Sequence, residues 1–391
     1  MSETAGLNRA PEPVSINTVF TADEILWPQR FQLNDDSGSQ YPFQIAHVSL
    51  APSGQEKGRH AYHGTLCFLA DLLPYHREKF TFSETPRETR NENSPGIDPQ
   101  NAAPSPHHAT LVIRKADSAL SIENESLRLA LNPLTGTIEE IHNSSAGISL
   151  AIPSIRHECT KSHVAVRTHR PRAQECLPPK VTFEKGPVLF EVKSIAPTPG
   201  FPALLQQTTY RLYSRLPYIW IRRSVEVIHD TPLATLRQET LAFQASDFTH
   251  AAWRTNQGIK LEPLESCPPR QKIEAETSWM GLVDTKRRHA LALLRVRSFQ
   301  FNRLARPIHF RDRSLGLFHA EAEPVVYWAS SLIEPGGDES AGTATAGSIY
   351  QETLACCLVA GKDAEPPFAK FDEFHARLTK PAAVEFLSTE E

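Results

Sequence analysis

The stretch SIENESLRLALNPLTGTIEEIH, residues 121–142, sets the reading of the fold. Leu127, Leu129 and Leu131 alternate with polar or small residues, which is the period of a strand with one buried face. Asn132-Pro-Leu-Thr-Gly136 then supplies turn chemistry, and Thr137 to Ile141 resumes as a strand. Two strand patterns around such a turn predict an antiparallel hairpin.

The same signals spread outward. From Tyr218 to His229, Ile219, Ile221, Val225 and Val227 share one face, while Tyr218, Trp220, Arg222 and Glu226 share the other. Ala290 to Phe301, Val325 to Ile333 and Ser348 to Ala360 are rich in β-branched and aromatic residues and read as further strands. One short helix is predicted at Phe368 to Leu378, where Phe371, Phe374 and Leu378 fall at helical spacing. The 31 prolines are scattered through the chain and oppose long helices, since each removes a backbone donor.

At 391 residues the chain is long for a single core. Residues 14–82 read as a small β-domain, 83–108 as a linker poor in large apolar residues, and 109–385 as a large β-domain ending in the short helix. The fold class is all-β.

A formal net charge of −4 offers no field to hold a polyanion, so nucleic acid is not an expected partner. No apolar run reaches the roughly 18–20 residues of a membrane span, so no membrane is expected either. The six cysteines show no Cys-x-x-Cys spacing, and Cys356 and Cys357 would point to opposite faces of one strand. They read as reduced thiols in a cytoplasmic protein.

Several segments taken together resemble glycoside hydrolase family 38. Residues 121–142 are similar to the opening hairpin of that family's C-terminal sandwich, where "IENE" leads a strand and a "D/N-P-x-T-G" turn follows. Trp27-Pro28-Gln29-Arg30 and Phe68-Leu-Ala-Asp-Leu-Leu-Pro74 resemble phrases of the small sheet domain that precedes it. The resemblance implies a small β-sandwich followed by a galactose mutarotase-like β-supersandwich. It leaves the family's nucleophilic aspartate and zinc ligands in an N-terminal domain outside the match. The same supersandwich resembles domains of polysaccharide lyases and mutarotases, so it selects a ligand class more than a reaction.

Candidate chemistry falls into three groups. On the Tyr218 strand, Tyr218 and Trp220 offer flat apolar surfaces to a sugar, and Arg222 and Glu226 offer charge-assisted hydrogen bonds; a solvated face with one ion pair is the plain alternative. Arg237, Glu239, His250 and Trp253 form the second group. There His250 and Glu239 would serve as acid and base, Tyr210 as a further proton donor, and Arg237 would neutralise a uronate. Glu226 with Glu239 is the carboxylate pair a hydrolase would need. The third group, His157, Cys159, His163, His169 and Cys176, contains zinc-ligand types at no familiar spacing, and a solvated basic loop is the simpler reading. Phosphate loops, nucleophile elbows and metalloprotease helices are not found, and no cofactor or metal is expected.

The leading functional expectation is a carbohydrate-active protein acting on a glycan or oligosaccharide by glycosidic-bond cleavage, through uronate β-elimination or hydrolysis on the concave face of the large sandwich. One alternative is a non-catalytic carbohydrate-binding or subunit-like protein that works beside a separate catalytic subunit. Another is a mutarotase-type epimerase, marked by a His and a Glu facing each other across a cleft.

Overall fold

The hairpin read from residues 121–142 is present inside a five-stranded meander. Strands Val112–Ala116, Ala119–Glu123, Leu127–Leu131, Ile138–Asn143 and Ile148–Ala151 pair antiparallel in chain order. Leu127, Leu129 and Leu131 are buried and Arg128 is exposed, so the sequence alternation is the alternation of faces. At the turn, Asn132 Oδ1 accepts the backbone N–H groups of Leu134 at 3.0 Å and Thr135 at 3.3 Å. Gly136 takes φ of +70°, and a Cβ there would come within 3.3 Å of Val181, Val192 and Ser194. The left-handed backbone and the close side chains both favour glycine there.

The computed structural model describes all residues except 3, 23–30, 57–58, 85–110, 117–118, 154–158, 161–176, 199, 234, 274–276, 309–314, 320–323, 334–341 and 386–391. Trp27 to Arg30 and most of the expected linker therefore lie outside the described residues, as does the histidine–cysteine group apart from the strand Cys159–Thr160.

A nine-stranded antiparallel sheet forms the centre of the molecule. In spatial order its strands are Lys180–Lys185, Leu189–Thr198, Phe201–Tyr213, Tyr218–Val227, Ser348–Ala360, His289–Asn302, Trp279–Asp284, His250–Thr255 and Gly258–Pro263. A second five-stranded sheet contains Cys159–Thr160, Thr235–Gln244, Val325–Ile333, Leu315–His319 and Arg270–Lys272. Leu129 and Ile141 of the meander and Phe243 and Trp328 of the second sheet share one core with Ile221, Leu291 and Cys356 of the large sheet. Both smaller sheets thus cover the same inner face.

The outer face is covered only in part. A helix at Ala369–Thr379 buries Phe371, Phe374 and Leu378 against a group that includes Tyr218, Trp279, Ala292 and Leu294. Trp279 Nε1 donates to Asp372 on that helix at 2.8 Å. Cys356 and Cys357 fall in the inner and outer cores respectively, as strand alternation requires.

Beside the helix sits the small β-domain. Its strands Arg9–Ala22, Arg59–Leu72 and Phe43–Glu56 form one sheet, and Phe31–Asp35 pairs with Phe80–Glu84 in another. An aromatic core joins them, with Phe31 and Phe82 stacked at 5.1 Å and the Phe68 and Phe80 rings tilted against each other at 5.0 Å. The sheet begins at Arg9, upstream of Val14. Buried Arg9 donates to the carbonyl oxygens of Arg377, at 3.0 Å, and Lys380, so it closes the C-terminal end of the helix.

Two asparagines bolt the meander to the large sheet. Asn124, within the IENE phrase, donates to the carbonyls of Tyr213 at 2.7 Å and Leu216 at 2.9 Å, and accepts from Ser126 and Leu127 at 2.9 and 2.7 Å. Asn143 repeats the device, donating to Leu358 O at 2.8 Å while accepting from Ala146 N at 3.0 Å. Each side chain fixes a local turn and a contact between layers at once. Asn124→Ala should therefore lower stability by about 2–3 kcal/mol, because it strands buried carbonyls as well as losing bonds. Denaturant titration beside exposed Ser149→Ala measures this, and a loss no larger than that control's would refute the strut.

Candidate functional site

Where the helix and the small sheet end, the outer face of the large sheet lies open. Directly paired residues of antiparallel strands share a face, so the register specifies what it carries. One row runs Glu191, Arg211, Trp220, Ala355, Leu294; the next runs Lys193, Thr209, Arg222, Thr353, Arg297. A third runs Ile195, Gln207, Ser224, Gln351, Phe299, and a fourth places Glu226 beside Ile349 and Phe301. Phe299 and Phe301 stack with centroids 6.1 Å apart and remain 38% and 42% exposed. Large aromatic rings left in water on a sheet face are a ready surface for an apolar partner.

The charges of this face are unevenly satisfied. Glu191 accepts from Arg211 at 2.5 Å, and Glu226 is clamped by both terminal nitrogens of Arg303 at 3.1 and 3.2 Å. Arg222 and Arg297 have no carboxylate partner among the described residues. Partial burial, and then the like charges of Arg211 and Arg297, depress the pKa of Arg222.

A recess of about 380 Å³ opens on the small sheet, lined by Asn17, Thr18, His47, His63 and Thr65 among others. His47 Nε2 lies 3.6 Å from Glu191 Oε1 on the large sheet, and the His47 amide donates to Glu184 at 3.4 Å. A histidine and a glutamate thus meet between the two β-domains. His47 holds a left-handed backbone with φ of +53°. Side-chain residues adopt that region at a cost, and it recurs where surrounding structure imposes a geometry.

The residues nominated from sequence are dispersed. Tyr218, Trp220, Arg222 and Glu226 share the outer face as their alternation predicts. Tyr218, however, lies beneath the helix, 5.5 Å from the Phe374 ring, so it packs where an open ligand surface was expected. Tyr210 and Trp253 point into the inner core, and burial raises the Tyr210 pKa to about 12. That hydroxyl is a poor proton donor near neutrality.

His250 and Glu239 are not neighbours. Glu239 pairs with Ala329 in the second five-stranded sheet, on the side turned away from the large sheet, where Arg237 lies over the Phe318 ring at 4.8 Å. His250 pairs with Val283 in the nine-stranded sheet, with Nδ1 at 2.8 Å from Thr249 Oγ1. Between them the short turn Ala245–Asp247 carries the chain from one sheet to the other. Residues eleven apart in sequence therefore face away from each other across the sandwich. Sequence reading missed His47, Glu191, Arg297, Phe299 and Phe301, which belong to no motif and are brought to the surface only by the pairing of their strands.

No family model matches the chain, and no curated protein matches it in sequence. Among solved structures it superposes on an α-mannosidase from Enterococcus faecalis V583 with a TM-score of 0.54 and 11% identity, covering 96% of this chain and 44% of that one. A glycosyl hydrolase family 38 protein from Enterococcus faecalis gives 0.54 and 12% identity, covering 96% of this chain and 46% of that one. The likeness to family 38 read from the sequence is thus a likeness of fold, and the chain spans less than half the length of both proteins.

The His47 geometry can be checked apart from any ligand. His47→Gly and His47→Ala both delete the ring, but only glycine relieves the left-handed backbone. The glycine variant should be the more stable by about 1 kcal/mol. Equal melting temperatures would show that the positive φ is not held in solution.

Proposed function

We propose that this chain binds a glycan on the open outer face of its nine-stranded sheet and holds the sugar without cleaving it. The carrying observation is the exposed Phe299–Phe301 stack, with Gln351 directly across from Phe299 and Ser224 and Gln207 on the next two strands of the same row. Pyranose rings present apolar C–H faces and polar rims, and aromatic rings flanked by hydrogen-bonding side chains complement both. The fold shared with an α-mannosidase and a family 38 glycosyl hydrolase agrees with a carbohydrate ligand.

Binding is favoured over cleavage because cleavage needs an acid and a base within reach of one bond. Of the nominees, Glu239 and His250 face apart, Tyr210 is in the core, and Glu226 is held by Arg303. A separate catalytic subunit would supply what this face does not.

The test is a glycan-array screen of the purified chain, followed by titration of the best ligand. Phe299→Ala combined with Phe301→Ala should weaken binding at least about tenfold, the equivalent of ~1.4 kcal/mol, with an unchanged melting temperature. Failure of every glycan to bind would end this reading, as would a double variant that binds like the parent. Release of reducing ends or of unsaturated product by the chain alone would replace binding with turnover.

A further inference from the structure

The open face is rich in donors and poor in acceptors at one place. Arg222 and Arg297 flank Thr353 across three adjacent strands. Thr353 and Gln351 are only 6% and 8% exposed, yet Thr353 Oγ1 and Gln351 Nε2 have no hydrogen-bond partner among the described residues. Trp220 Nε1, on the neighbouring strand and the same face, is also buried and unpartnered. Buried polar atoms are almost always satisfied in folded proteins, and these three lie on the same face as the two arginines that have no carboxylate partner. The carboxylates of the face do not serve, because Glu191 is held by Arg211 and Glu226 by Arg303.

We infer that this cluster is a binding site for the anionic substituent of an acidic sugar, a uronate carboxylate or a sulfate ester, with Arg222 and Arg297 as its charged arms. The inference rests on the glycan-binding reading and specifies its ligand. Two forked guanidinium groups match the planar oxygens of a carboxylate or the face of a sulfate, while the Trp220 and Gln351 N–H groups and the Thr353 hydroxyl supply neutral donors. A neutral sugar would leave both arginines uncompensated. An anion also relieves the repulsion among Arg211, Arg222 and Arg297. Phe299 lies two residues along its strand from Arg297, about 6.6 Å, so a ring held by its anionic group would rest on the aromatic stack.

The experiment titrates the purified chain with four probes: a uronate oligosaccharide, the same compound with its carboxyl groups reduced to alcohols, a sulfated oligosaccharide, and inorganic sulfate alone. At least one acidic oligosaccharide should bind about tenfold or more tightly than the carboxyl-reduced compound, and the preference should shrink as salt rises. Comparison of the uronate with the sulfated probe tells which anion the arms accept. Arg222→Gln and Arg297→Gln should each erase the preference for the acidic probe over the carboxyl-reduced compound. Thr353→Val, which keeps shape and removes the hydroxyl, should lower the affinity for the acidic probe alone. Equal binding of acidic and reduced compounds would overturn the anion site and leave glycan binding standing. Binding of inorganic sulfate with no affinity for any oligosaccharide would overturn the sugar reading itself, and the acidic-sugar assignment with it.

Discussion

The strand Ser348–Ala360 is the constraint around which the large domain is arranged, because twelve of its thirteen residues are buried. It pairs with Tyr218–Val227 on one side and His289–Asn302 on the other, so it has no free edge. The inner face receives two five-stranded sheets. The outer face is finished by the helix and the small domain at one end only, where Ala355, Cys357 and Val359 join the outer core. Toward the start of the strand the outward residues change to Gln351 and Thr353, which lie beyond the outer core of the helix and small domain and between the exposed side chains of Arg222, Arg297 and Phe299. The sequence thus carries its own boundary between packed and open sheet.

On the inner side the same strand brings a charge into the sandwich. Glu352 accepts from Arg223, from Ser330 at 2.8 Å and from Tyr350 at 3.0 Å, and Arg223 also donates to Ser330 at 3.2 Å. Ser330 belongs to the second five-stranded sheet, so the network crosses between layers. Buried ion pairs recover their desolvation cost only when geometry is good and the remaining lone pairs are satisfied. Here the carboxylate has three protein donors. The network ties the two sheets to each other at one register.

Much of the fold was legible in the sequence because it is written in local period. The 127–141 hairpin, the two-faced Tyr218 strand, the Val325 and Ser348 strands and the C-terminal helix all follow from alternation or helical spacing within a dozen residues. The site was less legible because it depends on which strands become neighbours. Arg222 meets Arg297 only across Ser348–Ala360, and Trp220 approaches the helix only because residues 369–379 fold back over the sheet. Proximity in sequence misled in the other direction at Glu239 and His250, since the intervening Ala245–Asp247 turn changes sheets. Tyr218 shows a third limit. Its face was right, and what covers that face lies more than 150 residues away.

Arg222 and Arg223 together show how the two faces obey one electrostatic rule with opposite results. Arg223 points inward, is almost wholly buried, and is paired with Glu352, because an unpaired charge there would cost several kcal/mol. Arg222 points outward into water. Its nearest like-charged counterpart across the central strand, Arg297, is two interstrand spacings away, roughly 10 Å, where repulsion in high dielectric is about 0.4 kcal/mol. The outer arginines can therefore remain unpaired in the empty protein at small expense. A ligand that settles on the face excludes that water and lowers the local dielectric, which strengthens the attraction of both arginines for an anion while the Phe299–Phe301 stack sets the floor. The openness that leaves these charges unsatisfied is thus also what makes them available.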